Sequence, residues 1–152
     1  MTYGVIMFEL PAEDMSRAQT FYRAVFGWES QAVVGLDTVP EPQEQGGQVQ
    51  RPIIELITAP LDDDGLPMER GVVTGAVIQR RPEITGPVIF IQVDDVNEAL
   101  QRVEENGGST VVGCLRVGEV GRAAYATDTE GNVIGLWQEA VPGIRIGLAR
   151  RR

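Results

Sequence analysis

Glu9 is the residue of this chain best suited to acid–base chemistry, because it is a carboxylate within the apolar, β-rich stretch 3–10. Alternation along a strand puts it on one face with Val5 and Met7, and puts the bulkier apolar residues on the opposite face: Ile6, Phe8 and Leu10. If the bulkier set packs on a helix, Glu9 faces an interior cavity. Such a carboxylate could act as a base with a raised pKa or hold a cationic ligand. The alternative is a carboxylate that pairs with an arginine or reaches water at the rim.

Other acidic residues are weaker candidates. Glu55 lies in the strand-like stretch 53–58, whose alternation permits it to face either the same cavity or solvent. The three aspartates at 62–64 lack the further spaced ligands and closing glutamate of a calcium loop, so they indicate a solvated turn. Asp128 and Asn132 are typical of a turn stabilised by hydrogen bonds from side chains to the backbone.

Metal and thiol chemistry have few donors in this sequence. The chain has no histidine and a single cysteine, Cys114. It therefore cannot form an internal disulfide, and no second cysteine or histidine is present to build a zinc site around it. We interpret Cys114 as a small strand residue. An iron site of two histidines and one carboxylate cannot be assembled, which excludes a dioxygenase of that type.

Composition and charge limit the partners. The formal net charge of -9 repels nucleic acid and anionic lipid surfaces, and no apolar run approaches the roughly 20 residues of a membrane helix. The first residues carry no basic region typical of a secretion signal, so we expect a cytoplasmic location. An exception to the acidity is the tail 142–152, with four arginines: Arg145, Arg150, Arg151 and Arg152.

The clearest local element is a helix predicted over 15–26. Asp14 precedes it as an N-cap, Gly27 follows it as a C-terminal stop, and apolar residues form one stripe: Ala18, Phe21, Tyr22, Val25 and Phe26. Pro11 is predicted to end the strand before it. Further strands are predicted at three places: 28–34, 53–58 and 72–79. A polar, mobile loop is expected at 36–51 and a linker at 80–86.

The second half repeats this order. A strand at 88–93 leads to a helix that Asp94 or Asp95 caps, and whose stripe is Val96, Ala99, Leu100 and Val103. Gly107 and Gly108 are expected to end the helix, and three strands follow: 110–117, 123–127 and 133–138. Asp95 falls on Asp14 at a constant offset of 81 residues through the helix. Such repeats imply duplicated units, here two βαβββ modules that share a core or enclose a cavity.

The predicted fold class is therefore α+β, with paired modules and curled mixed sheets around a cavity. We predict a single domain over 1–141, made of modules 3–80 and 86–139, followed by the basic tail 142–152.

Three segments carry a family resemblance: FELPAEDMSRAQTFYRAVFGW, VDDVNEALQRVEENGG and DTEGNVIGLWQ. In their order and duplication they resemble the vicinal oxygen chelate superfamily, which includes glyoxalase I, bleomycin-resistance proteins and extradiol dioxygenases. The resemblance spans about residues 3 to 139. It implies a glyoxalase-like fold in which each half curls its sheet into half a barrel.

The resemblance also implies where a divalent metal would be held, by the first and last strand of each half. In this sequence those positions are occupied by residues without suitable donors: Met7, Val88, about Gly135 and about Gly75. A catalytic metal needs histidine, carboxylate or thiolate donors at about 2.0–2.2 Å. We therefore expect no metal and no other cofactor.

The same alternation predicts an apolar cavity wall in the second half, made of Val88, Phe90 and Gln92 with Gly135 and Trp137. Together with Met7, Glu9 and Glu55, these residues form the predicted ligand site. A small organic ligand could stack on Trp137 and hydrogen-bond to Gln92 or Glu9. Alternatively, Phe90 and Trp137 simply fill the barrel.

The predicted function is metal-free binding of a small organic ligand by a protein of the glyoxalase and bleomycin-resistance type. The alternatives are a lyase or isomerase that uses Glu9 as an acid or base, and a non-catalytic interaction domain. A carboxylate-ligated metal enzyme would have to recruit residues such as Glu9 and Glu55, whose spacing does not indicate a preorganised site. We also predict a homodimer, because an exposed apolar sheet edge favours association.

Overall fold

The structure is a computed structural model that describes residues 2–33, 38–40 and 53–143. Its first half contains six elements: β1 (Val5–Ala12), α1 (Met15–Phe26), β2 (Glu29–Val33), β3 (Thr38–Pro40), β4 (Ile53–Ile57) and β5 (Thr74–Gln79). Its second half contains five: β6 (Val88–Gln92), α2 (Val96–Glu105), β7 (Ser109–Val117), β8 (Gly121–Thr127) and β9 (Val133–Glu139). The α+β class is confirmed, and both halves follow the βαβββ order once the short additional strand β3 is set aside, since β3 pairs with β7 of the second half.

The strands form one mixed sheet in the order β2-β4-β5-β1-β6-β9-β8-β7-β3. β1 pairs with β5 and β6 pairs with β9 in parallel, and the two modules join where β1 meets β6 antiparallel. The two edge strands, β2 and β3, are separated by only residues 34–37. Such a short connection spans at most about 18 Å, whereas nine flat strands are about 38 Å across. The sheet must therefore curl, which gives it a concave face.

Each face of the sheet carries its own apolar cluster. The concave cluster contains buried residues from both halves, among them Met7, Ala76, Phe90, Tyr125 and Trp137. The second cluster lies between α2 and the convex face and consists of seven residues: Val93, Val96, Leu100, Cys114, Ala124, Ala126 and Leu136. The interpretation of Cys114 as a packed strand residue is consistent with this position.

The predicted helix boundaries of α1 are confirmed. Asp14 accepts a hydrogen bond from the Arg17 backbone N–H at 2.9 Å, and Gly27 adopts the left-handed conformation at φ 72°. In α2 the cap is Asp95 rather than Asp94, because Asp95 accepts from the Glu98 backbone N–H at 2.8 Å.

The apolar stripe of α1 does not bury as the pattern indicates. Phe21, Val25 and Phe26 remain 53%, 55% and 57% exposed, and no residue of α1 is buried. α2, by contrast, buries Val96 and Leu100. Rings of α1 contact one another and Trp28, with Tyr22 stacked on Trp28 at 5.4 Å between centroids. α1 therefore presents an apolar surface outward.

Two further expectations need correction, and two segments lie outside the described residues. Pro11 does not end β1, which continues to Ala12 through its parallel pairing with β5, where Pro11 lies opposite Ile78. Pairing with β6 on the other side stops at Glu9, so β6 does not need the N–H that proline lacks. The expected loop 36–51 contains β3, paired antiparallel with β7. The rest of that loop, and residues 144–152 of the tail, lie outside the described residues.

Candidate functional site

The register across four strands places two carboxyl groups on the concave face. Glu55 of β4 and Glu9 of β1 both pair with Ala76 of β5, and Glu9 also pairs with Val88 of β6. Residues directly opposite one another on paired strands point to the same face of a sheet. Because Ala76 and Val88 belong to the concave cluster, both glutamates lie on the concave face. The face predicted for Glu9 agrees with this position, and the face left open for Glu55 is now assigned.

Glu9 is buried and is bonded to a residue of the other module. Its side chain is 7% exposed, and the Tyr125 hydroxyl of β8 donates a hydrogen bond to its Oε1. Burial raises the pKa of Glu9 to about 7, although the hydrogen bond from Tyr125 and the charge of Arg81 both lower it. Glu9 can therefore either accept or donate a proton near neutral pH.

Tyr125 is held by an aromatic ring and a cation. Phe90 of β6 meets it edge to face at 5.5 Å between centroids, and the Arg81 guanidinium lies 5.8 Å from the centroid of the Tyr125 ring. Burial and the charge of Glu9 raise the pKa of Tyr125, so that it remains a hydrogen-bond donor. Both modules and the linker between them therefore contribute to the surroundings of Glu9.

Arg81 belongs to the predicted linker 80–86, which is more than a connection. Residues 81 and 84 form an isolated antiparallel bridge, and Ile84 is fully buried in the concave cluster. This short turn thus packs the Ile84 side chain against the concave face and brings the Arg81 guanidinium near Glu9. The Glu9 environment combines the two readings of the sequence, since the buried carboxyl faces the interior and also has an arginine nearby.

Glu55 has a different environment from Glu9. It is 1% exposed, and its Oε2 has no hydrogen-bond partner among the residues that the structure describes. Burial raises the pKa of Glu55 to about 7. Glu139 is a third buried carboxyl, with 6% of its surface exposed. It is the last residue of β9 and pairs with Gly121 of β8, whereas Phe90 pairs with Gly135 nearer the start of β9.

The other predicted site residues differ in how deeply they are buried. Four of these predicted residues are buried members of the concave cluster, namely Met7, Val88, Phe90 and Trp137, and Gln92 is partly buried. Trp137 lies against Gly121, where an added Cβ would come within 2.6 Å of the indole ring. The structure therefore brings the predicted wall together, with Phe90 and Trp137 packed as core residues.

The positions implied for metal ligands do not fit a metal. Met7, Val88 and Gly135 lie on the concave face, but the corresponding residue of β5 is Ala76 rather than Gly75. Gly75 faces the other side, where the Phe8 ring lies 2.2 Å from the position of an added Cβ. At Gly135 the Phe90 ring lies 2.6 Å from the position of an added Cβ, so Phe90 takes the space a ligand side chain would need.

No group of three or more histidine, cysteine, aspartate or glutamate side chains that could hold a metal occurs within the described ranges. The two acidic turns have structural roles. Asp62 accepts hydrogen bonds from the backbone N–H groups of Asp64 and Leu66 at 2.9 and 3.0 Å. Asp128 accepts from the backbone N–H of Asn132 at 2.9 Å, as predicted for a turn.

Tyr125 and Arg81 are the site residues that sequence reasoning missed. Tyr125 lies 116 residues from Glu9, so no local pattern connects them. A partial signal existed for Tyr125, because alternation along β8 places it on the same face as Ala123, among small residues that leave room for its ring. Arg81 had no such signal.

Comparison with known proteins agrees with this fold. The model of the Glyoxalase/Bleomycin resistance protein/Dioxygenase superfamily matches residues 4–136, and the chain belongs to this superfamily. CFP32 of Mycobacterium tuberculosis, a glyoxylase by name, is 31% identical over 132 residues, which cover 86% of this chain and 43% of CFP32. The chain thus spans less than half the length of that relative.

Two further proteins are similar. A glyoxylase-like domain-containing protein of Didymella fabae is 32% identical over 125 residues, which cover 82% of this chain and 84% of that protein. The crystal structure of methylmalonyl-CoA epimerase from Mycobacterium tuberculosis superposes with a TM-score of 0.53 at 16% identity, covering 91% of this chain and 89% of the epimerase. That likeness shows the fold.

Neither α1 nor α2 is long and apolar enough to cross a membrane, and the same holds for every helix in the described ranges.

Proposed function

We propose that the concave face binds a small organic ligand without a metal, and that the pair Glu9 and Tyr125 is the polar recognition point. The observation that carries this proposal is a buried carboxyl, hydrogen-bonded by a tyrosine hydroxyl, on a wall made mainly of apolar residues. Ligand sites are typically apolar surfaces with a few placed polar groups. A carboxyl with a pKa of about 7 can receive a hydrogen bond from a ligand or donate one to it.

An acid–base enzyme of the lyase or isomerase class is the second candidate. The pKa of Glu9 lies near neutral pH, where a general base or acid is most effective. CFP32 is named as a glyoxylase, and a structural neighbour is an epimerase. In such a reaction Glu9 would take a proton from the substrate and return it, with Tyr125 holding the carboxyl in position. Substrate would have to lie within hydrogen-bond reach of Glu9.

A non-catalytic interaction domain is supported by the packing of the concave cluster. Phe90 is 2% exposed and Trp137 is 5% exposed, so both side chains act as core residues in the chain by itself. Ligand binding and this alternative differ in one respect, because only the former makes the stability of the folded state depend on a small molecule.

The test is the thermal midpoint of metal-free protein, measured with divalent metals and separately with a panel of small organic compounds. An organic compound at about 100 times its dissociation constant adds about 2.7 kcal/mol and raises the midpoint by roughly 5–10 °C. Tyr125→Phe and Glu9→Gln should each reduce that shift. Glu69→Gln, which removes the same charge from an exposed turn, should leave it unchanged.

Two results would contradict the proposal. A metal-dependent rise that Glu9→Gln abolishes would favour a carboxylate-ligated enzyme. A broad panel that changes neither the midpoint nor the fluorescence of Trp137 would favour the interaction domain. An activity that follows one apparent pKa near 7 and disappears in Glu9→Gln would establish the second candidate.

The homodimer stays a prediction, and the exposed face of α1 is where we expect it to form. Phe21, Val25 and Phe26 are each more than half exposed there. We expect light scattering to give twice the chain mass, and Val25→Ser to shift the protein towards monomer. Met68→Ser is the matched control, because Met68 is 69% exposed outside α1. A monomeric wild-type protein at high concentration would contradict the expectation. The cytoplasmic location also stays a prediction.

A further inference from the structure

We infer that Glu55 is a second polar subsite of the concave face, and that it receives a cationic nitrogen of the ligand, an alkylammonium or amidinium group. The inference rests on the proposed function and names the chemical class of its ligand. It assigns different roles to the two carboxyls: Glu9 with Tyr125 forms a hydrogen-bonding point, and Glu55 forms an anionic one.

The spacing allows one small molecule to contact both carboxyl groups. Glu9 and Glu55 pair with the same residue, Ala76, from opposite sides. Neighbouring strands lie about 4.8 Å apart, so the two Cα atoms are separated by roughly 10 Å and both side chains project from one face. Ala76 contributes only a methyl group between them. On the outer side of Glu55, its cross-strand neighbour is Gln31 of β2, which adds a polar group to the same face.

The two carboxyl groups differ in how far neighbouring groups offset the cost of their burial. Glu9 receives the hydrogen bond of Tyr125 and lies within the electrostatic reach of Arg81. Glu55 is also buried, with 1% of its surface exposed, and its Oε2 has no partner within the described part of the chain. Buried polar atoms nearly always have a partner, and a buried charge left alone is strongly unfavourable. A group that completes the ionised form of Glu55 must therefore donate a hydrogen bond.

A cationic donor suits this position better than a neutral one. A cation within hydrogen-bond distance stabilises the ionised carboxylate and offsets the desolvation that acts on Glu55. The chain contains no lysine and carries a net charge of -9, so its field attracts cations to the molecule. A neutral donor or a buried water molecule would also offset this desolvation, as Tyr125 does for Glu9, but by less, because hydrogen bonds between two charged groups are the stronger kind.

The experiment compares matched probes by calorimetry: butylammonium with butan-1-ol, and benzamidinium with benzamide. We expect each cation to bind about tenfold or more tightly than its neutral partner, because hydrogen bonds to charged groups are the stronger kind. Below pH 7, binding should also release a proton from Glu55, seen as a heat that depends on the ionisation enthalpy of the buffer. Glu55→Gln should remove both the preference for cations and the proton release.

Glu29→Gln is the matched control, because Glu29 lies on the adjacent strand β2 and is exposed. It should bind all four probes as the wild-type protein does. Circular dichroism and the thermal midpoint of Glu55→Gln show whether that variant is folded, and a neutral amide at this buried position should not weaken the fold.

The outcomes separate the inference from the function on which it rests. Equal binding of cations and neutral partners, unaffected by Glu55→Gln, would overturn the role of Glu55 and leave ligand binding at Glu9 in place. Binding of cations that depends on Glu55 but not on Glu9 or Tyr125 would support the inference and overturn the recognition role of Glu9. No heat from any probe at millimolar concentration would count against both.

Discussion

Raising the pH from about 5 to about 8 is expected to lower the free energy of unfolding by roughly 2–3 kcal/mol for each of two buried carboxyls, Glu9 and Glu55. Both have a pKa of about 7 in the folded chain, against an ordinary value of 4.5. Between these values the folded state retains protons that the unfolded state has released. The contribution to stability is therefore complete below about pH 4.5 and is lost as the pH rises through 7.

Exposed carboxyl groups with lowered pKa values, such as Asp128, act in the opposite direction and are present in every variant. For that reason the informative quantity is the difference between wild type and variant in urea unfolding, measured at several pH values. Glu55→Gln removes a titrating group, so its stability relative to wild type should increase as the pH rises through the window. Glu9→Gln should behave similarly, since its amide oxygen can still accept the Tyr125 hydrogen bond.

Glu69→Gln serves as the control, since it removes an equal charge from an exposed turn. Its difference from wild type should stay constant over the same pH range. If the difference for Glu55→Gln is equally constant, then the carboxyl is not buried as described, and the charged subsite proposed for it loses its physical basis.

Phe90→Ala is expected to destabilise the protein by about 3–5 kcal/mol, the usual cost of removing a fully buried aromatic side chain. Phe90 is 2% exposed and packs against Tyr125 and over Gly135. The loss should also release Tyr125 from its edge-to-face contact and weaken its hydrogen bond with Glu9. Urea unfolding measures the first effect, and the ligand-dependent midpoint measures the second.

Gly135→Ala provides the complementary change at the position implied for a metal ligand. An added Cβ would lie 2.6 Å from the Phe90 ring, so we expect overpacking to cost about 1–3 kcal/mol. In the Phe90→Ala background the ring is absent and the same methyl group should cost much less. The double-mutant cycle should therefore give a favourable coupling of about 1 kcal/mol or more.

Gly113→Ala is the matched control, because Gly113 lies in β7 and has no atom within 4 Å of an added Cβ. It should be close to neutral and should not couple with Phe90→Ala. Additive effects of Gly135→Ala and Phe90→Ala would show that the ring does not occupy the space above Gly135. The physical reason for excluding a ligand side chain at that position would then fail.

Local patterns in the sequence were sufficient for most of the fold. The apolar stripe, Asp14 and Gly27 predict α1 at its observed bounds, because caps and helical periodicity depend on neighbours within a few residues. The offset of 81 residues predicts the repeat, and the repeat predicts a shared core. Alternation places Glu9 on the concave face, since the two-residue period of a strand is a property of the backbone.

Some errors arose where local patterns do not determine the outcome. The sequence did not predict β3, because its three residues form a strand only by pairing with β7, which lies far along the chain. The stripe of α1 is amphipathic, yet the first module leaves Phe21, Val25 and Phe26 exposed. Periodicity indicates which side chains share a face of a helix, but it does not state how much of that face the sheet covers.

What the sequence by itself determined was the superfamily, the repeated elements, the absence of histidine and the face of Glu9. Only the tertiary structure decided what surrounds that carboxyl: Tyr125 from β8, Arg81 from the linker, and Phe90 in the space above Gly135. The physical reason is that burial and hydrogen bonding are set by contacts between residues distant in the chain. Those contacts, not the residue type, give Glu9 and Glu55 pKa values of about 7.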